Sequence, residues 1–323
     1  MAPDCSAPAR NMQPAGAVLA AADLERLRAA CGRSVVDPAR SLFGPASVVW
    51  RVTRETALLL GGGRALLLQV AHPLVAAGVA EHSDFRRRPL ERLWRTLDLM
   101  LTLVFADAAS AVRAVRAIER VHARVHGVLD ADVGPFARGT PYDAGDPALL
   151  LWVYATLMDT ALLVYQRFVG PLGVEERAAY YQDSKVGLRL FGIPEDRIPP
   201  TLAAFEVYVD DMLRSDVLAV GPASREIAAA ILRPPLPPGV RELVRVAHLV
   251  TVGLLPPALR LRYGLGWGTV GERILGTLAA GTRTALPFLP GLVRVMPHAR
   301  AAAPAAAPAA GCADGPRWGN QAP

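Results

Sequence analysis

From about residue 20 to residue 285, apolar side chains recur with a period near 3.6, and no run alternates with the period of two that a half-buried strand needs. The pattern predicts helices over about 20–31, 45–60, 64–82, 89–105, 108–127, 147–168, 174–191, 199–214, 223–232, 239–254 and 268–285. Boundary residues agree with several of these. Pro89 and Pro147 stand where a first-turn proline is tolerated, Asp146 offers an N-cap, and Gly127, Gly170 and Gly192 follow helix ends. The expected architecture is all-α, one helical domain of about ten helices without internal repeats. Residues 1–18 and about 298–323 are rich in Ala, Pro and Gly and carry no periodic apolar face, so the tail is expected to be disordered. The layout is then a leader and first helix over 1–40, a helical body over 41–297, and a tail over 298–323.

Three stretches are apolar enough to raise the question of a membrane: 57–80, 148–165 and 246–265. A spanning helix needs about 20 apolar residues with few charges. The first stretch contains Arg64, His72 and Pro73, the second Asp159, and the third His248, Pro256, Pro257, Arg260 and Arg262. Burial inside a large α-domain accounts better for all three, and peripheral membrane contact stays open.

Composition adds limits. The 323 residues are 52% hydrophobic and 20% charged, which suits one sizeable core and excludes a disordered chain. Cys5, Cys31 and Cys312 form no metal or disulfide spacing, and no apolar signal segment opens the chain, so a cytoplasmic, reducing location is expected. The net charge of +6 rests almost wholly on arginine, Lys185 being the only lysine. The arginines are dispersed among acids without interleaved aromatics, and no nucleic-acid partner is expected.

Few motifs carry chemistry. Gly61-Gly62-Gly63 precedes a helix but lacks the Lys-Ser/Thr of a phosphate loop, and it reads better as a break between helices. In ERVHARVHG, His122 and His126 stand four apart. On a helix continuing through both, each touches the apolar face shared by Val115, Ile118 and Val125. A buried imidazole is usually a satisfied core group, yet it is also the commonest metal ligand. The helix predicted over 89–105 is apolar on two sides. Leu90, Leu93, Leu97, Leu101 and Val104 form one stripe; Leu99 and Leu103 extend a second that contains Arg92, Arg95 and Thr96. Guanidiniums in such a place need a carboxylate (Glu81, Asp84 or Glu91), an anionic cofactor or water.

Read in order, LLLGGGRALLLQVAHPLVAAGVAEHS, RPLERLWRT, VHARVHG, TPYDAGDPALLLWVYATLMDT and FGIPEDRIPPTLAAFEVY resemble the MpaB oxygenase family, which includes the catalytic domain of latex-clearing rubber oxygenases. The resemblance runs from about residue 45 to residue 265. It implies a globin-like helical domain that holds haem b and uses dioxygen to cleave a carbon–carbon double bond in an isoprenoid chain.

Arg92-Leu-Trp-Arg95-Thr96 matches the family's distal Arg-x-x-Lys-Thr pattern, with Arg95 where the lysine stands. His122 matches the axial histidine, with His126 as the fallback and Glu81 as the nearest counterpart of the distal base. The implied roles are iron ligation by His122, charge stabilisation by Arg92 and Arg95, and a hydrogen bond from Thr96. Trp94, Trp152, Tyr154 and Phe105 are candidate walls, Tyr154 replacing a histidine found in many relatives. The implied partners are a small apolar alkene, dioxygen and a redox partner that the sequence does not identify. Two alternatives remain: a non-catalytic haem- or lipid-binding protein, and a non-haem metal site on His122 and His126.

Overall fold

A computed structural model describes residues 19–32, 37–83, 89–234, 239 and 241–302, the side chains of 89–94 and 241 excepted. Its helices are α1 (Ala21–Cys31), α2 (Val48–Thr53), α3 (Gly62–Val70), α4 (Pro73–His82), α5 (Pro89–Phe105), α6 (Ala108–His122), α7 (Pro147–Phe168), α8 (Val174–Leu190), α9 (Leu202–Arg214) and α10 (Pro222–Leu232). They continue with α11 (Arg241–Leu254), α12 (Pro257–Tyr263), α13 (Thr269–Ala285), α14 (Gly291–Arg294) and α15 (Pro297–Ala302). Two three-residue strands, β1 (His126–Val128) and β2 (Pro141–Asp143), form an antiparallel pair. The fold is all-α apart from this hairpin. The expected tail from 298 begins with α15; residues 303–323, like 1–18, lie outside the described residues.

Helix α7 occupies the centre. Asp146 caps it through Ala148 N–H, and it packs against α2, α3, α8 and α13. Trp152, Ala155, Val164 and Phe168 are each at most 1% exposed. Among the described residues it is the one helix long and apolar enough to cross a bilayer, and 61% of its most apolar window is buried by the protein itself. Its single acid, Asp159, accepts from Arg64 of α3 at 2.7 Å. Two of the charges that interrupt the apolar stretches are thus each other's partners.

The helix expected over 64–82 is two helices. With the 3-10 helix Thr56–Gly61 before it, α3 meets α4 at 106°. Pro73 cannot continue the ladder, and His72 becomes the N-cap of α4, its Nδ1 accepting from Leu74 N–H at 3.3 Å. The end of α3 is tied down from outside: Trp152 Nε1 donates to Leu68 O at 3.2 Å, and Tyr263 donates to Leu67 O at 2.7 Å beside the bond that carbonyl already accepts from Ala71 N–H. Trp152 is therefore a structural donor and no cavity wall. The glycine run serves close packing. A Cβ on Gly61 would lie 2.5 Å from Thr160 Cγ2, and one on Gly63 would overlap Thr251, so the glycines bring this corner against α7 and α11.

Helix α6 is shorter than expected. It ends at His122, where Arg124 N–H bonds Val121 O and Val125 N–H bonds His122 O in tightened turns. Ala144 N–H then takes Val125 O at 2.9 Å and the chain enters β1. Local period alone did not reveal this, because the alternative partner for residues 126–128 lies on β2, at 141–143. Helix α5 is buried on both sides as expected: Leu101 and Val104 join one core cluster, Leu99 and Leu103 another with Leu27 and Val112.

Candidate functional site

Between α4, α5, α6, the hairpin and α7 lies a cavity of about 430 Å3, within the range that holds cofactors and small ligands. Its inner wall is aliphatic, from Val75 and Val79 of α4, Met100 of α5, and Leu149, Val153 and Leu157 of α7. Besides Gln69 of α3 and Tyr154 of α7, its polar groups are His82 and Ser83 at the end of α4, Arg95 and Thr96 on α5, His122 at the end of α6, and Tyr142 on β2. Arg95 and His82 are exposed, so the cavity reaches solvent beside them.

Three of the residues expected from the sequence meet here. Arg95 and Thr96 come from α5 and His122, half-buried, from the last turn of α6. Tyr154 lines the far wall, as expected. It is buried with its hydroxyl against Gly187 of α8 and its ring 6.1 Å from that of Phe191, edge to face. Burial raises the pKa of its phenol above the ordinary tyrosine value, so it stays neutral.

Other expectations do not meet here. His126 is exposed on β1 opposite Asp143 and does not line the cavity, so the wheel that put both histidines on one apolar face fails past His122. Glu81 is exposed outside the lining and acts one step removed, accepting from Tyr142 Oη at 2.6 Å. Phe105 packs against Trp50 in the core. Arg92 and Trp94 fall on the first turns of α5, whose side chains lie outside the described residues.

The sequence reading gave no role to His82, Ser83 or Tyr142. Their signals were weak: a histidine closing a helix, and a tyrosine after Thr-Pro. In space they are coupled. Tyr142 gives its proton to Glu81, so His82 Nε2, 3.2 Å from the same oxygen, must be the donor to it. Desolvation and the Glu81 carboxylate both raise the pKa of Tyr142, so its phenol too stays neutral.

The donor set bears on cofactor choice. Among the described residues no group of three His, Cys, Asp or Glu side chains could hold a metal ion, so the His122 and His126 metal site gains no support. A porphyrin brings four nitrogens of its own and asks the protein for as little as one axial imidazole. One half-buried histidine beside an aliphatic wall, with a guanidinium at the rim for carboxylates, fits that demand. Ser83 Oγ, buried in the same lining, has no hydrogen-bond partner among the described residues and offers a further polar contact to a ligand.

Residues 50–284 match the family model described as "ER-bound oxygenase mpaB/B'/Rubber oxygenase, catalytic domain". Two curated relatives are similar: "Uncharacterized protein Mb2261" of Mycobacterium bovis and "Uncharacterized protein Rv2237" of Mycobacterium tuberculosis. Each is 28% identical over 232 residues, covering 70% of this chain and 87% of the relative. No solved structure matches the chain.

Proposed function

The chain belongs to the family of the ER-bound oxygenase mpaB/B'/rubber oxygenase catalytic domain, and on that premise we propose that it is a haem b-dependent oxygenase cleaving the double bond of a small apolar alkene. The observation that carries this reading is the convergence of His122, Arg95 and Thr96 on one aliphatic cavity from two different helices.

Haem b, when bound, supplies the chemistry with dioxygen; one O2 and one C=C give two carbonyl groups, with no net electrons consumed. His122 would hold the iron, its position at the end of α6 fixed by the tightened turn that follows. An arginine at position 95 would act as a cation toward a cofactor carboxylate or developing negative charge, and not as the ligand a lysine could become. Thr96 would donate a hydrogen bond beside it. The aliphatic wall excludes water and gives roughly 25 cal/mol per Å2 of apolar substrate surface buried, which suits an isoprenoid or lipid chain.

The test is spectroscopic. Protein as purified, or reconstituted with haemin, should show a Soret band and a pyridine haemochrome; His122→Ala should abolish both and His126→Ala should not. Reduced protein with dioxygen should convert a short polyprenyl compound or an unsaturated lipid to carbonyl products, and Arg95→Ala should slow this more than it weakens haem binding. Protein that haemin cannot colour would sink the proposal. Haem binding without oxygen uptake on any alkene would leave a non-catalytic haem protein.

A further inference from the structure

The apolar stretches that raised the membrane question in the sequence are largely packed inside the fold, yet a different apolar surface faces out. Between α13 and α15 the chain reads LPFLPGLV over 286–293. Leu286 at 4% exposure anchors one end and Met296 at 2% the other. Between them Phe288 is 85% exposed, Leu292 72%, Val293 55% and Leu289 40%. Single exposed leucines mean little, but four large apolar side chains within six residues form a contiguous patch that calls for a partner.

The patch is held stiffly. Thr56 Oγ1 donates to Val293 O at 2.8 Å, and Met296 N–H donates to Arg54 O at 2.7 Å. Arg294 clamps Glu55 with two bonds of 2.9 and 3.1 Å. Pro287 and Pro290 fix two backbone angles inside the segment. Inserting these side chains into another phase would therefore order little that is not already ordered.

Charge identifies the phase. From Pro257 to Ala302 the chain carries Arg260, Arg262, Arg273, Arg283, Arg294 and Arg300 against one acid, Glu272, which is itself paired with Arg167 at 2.7 Å. Just before the patch Arg283 is exposed, while Glu55, the carboxylate that Arg294 holds, is 1% exposed. Two copies docking through this face would set arginines against arginines. A phenylalanine 85% exposed is a projecting tip, which a fluid phase can surround.

We propose that the 286–293 segment is a membrane-docking wedge, inserting Phe288, Leu289, Leu292 and Val293 into an anionic bilayer with the neighbouring guanidiniums at the headgroups. This needs nothing from the cavity and stands or falls separately from the oxygenase reading.

Flotation of the full chain with phosphatidylcholine vesicles, with and without phosphatidylglycerol, tests it. The wild type should float with the anionic vesicles and be released by salt. Phe288→Ser/Leu292→Ser should partition at least tenfold less, because inserting each side chain is worth about that factor. Val174→Ser, at an exposed position on α8, should behave as wild type. Failure of the wild type to float, or equal flotation of the double variant, overturns the proposal. So does a wild-type dimer, seen by light scattering, that the double variant abolishes while no vesicle is bound.

Discussion

Tyr142 pairs with Gly127 across the β1–β2 ladder, and its hydroxyl lies 2.5 Å from where a side chain on Gly127 would begin. The glycine makes room for the phenol, and the phenol then reaches Glu81 and His82 at the mouth of the cavity. Gly127→Ala should cost about 1–3 kcal/mol by overpacking. Tyr142→Phe should not rescue it, since the ring carbon Cζ would still stand 2.8 Å from the new methyl. Thermal unfolding checks both; an alanine variant melting with the wild type would refute the packing account.

In an otherwise native chain, Tyr142→Phe removes the donor to Glu81 and the acceptor of His82 together. A loss of about 1.5–3 kcal/mol is expected for a hydrogen bond to a charged group. Glu81→Gln keeps an amide oxygen as acceptor and should lose less. Denaturant unfolding of the two variants side by side gives the comparison.

Arg64 is 4% exposed and donates to Asp159, Thr160 and Leu254 O. Asp159 is its one carboxylate partner among the described residues, and removing it takes the counter-charge from a guanidinium in the centre of the fold, so Asp159→Ala should cost about 3 kcal/mol. Replacing both residues with apolar ones of similar size, Arg64→Met with Asp159→Leu, should restore much of that loss. A double variant no better than the single one would show that the pair itself, and not the orphaned charge, matters.

His72 gives a pH dependence. Burial holds its imidazole at a pKa of about 4, below its ordinary 6.5, with Asp146 pulling the other way. The unfolded chain takes up this proton near pH 6.5 and the folded chain only near pH 4. The contribution is therefore whole above pH 6.5 and is lost as pH falls toward 4, by about 3 kcal/mol in all. His72→Asn keeps an N-cap acceptor that does not titrate, and its urea midpoint should fall less between pH 7 and pH 4.5 than that of the wild type.

Val153→Trp, on the α7 wall of the cavity, fills space that a ligand would use. The variant should remain folded by circular dichroism and fail to take up haemin. Unimpaired uptake by the folded variant would place haem elsewhere.

Much of this was legible in the sequence, for physical reasons that can be named. Helix α5 announced itself through leucines on two faces, and the structure buries both. The charges at Arg64 and Asp159 counted against spanning helices, and the structure makes the two side chains partners, a pairing the sequence did not show. Arg95, Thr96 and His122 were recognisable as a set only through their resemblance to a family pattern, since their wheel positions on two separate helices say nothing about the distance between them.

By itself the sequence determined what depends on neighbours along the chain: the helical class from periodicity and the cap at Asp146. The break at Pro73 also has a local cause, yet apolar periodicity runs straight through it over 64–82. Tertiary structure alone decided where residues after His122 found their hydrogen-bond partners, because those lie on a strand at 141–143 and outcompete the next helical turn. That choice removed His126 from the cavity and brought Tyr142 into it. The same holds for His82 and Ser83, which gain meaning only where α4, α5 and the hairpin meet, and for Phe288, whose exposure follows from what fails to pack over it.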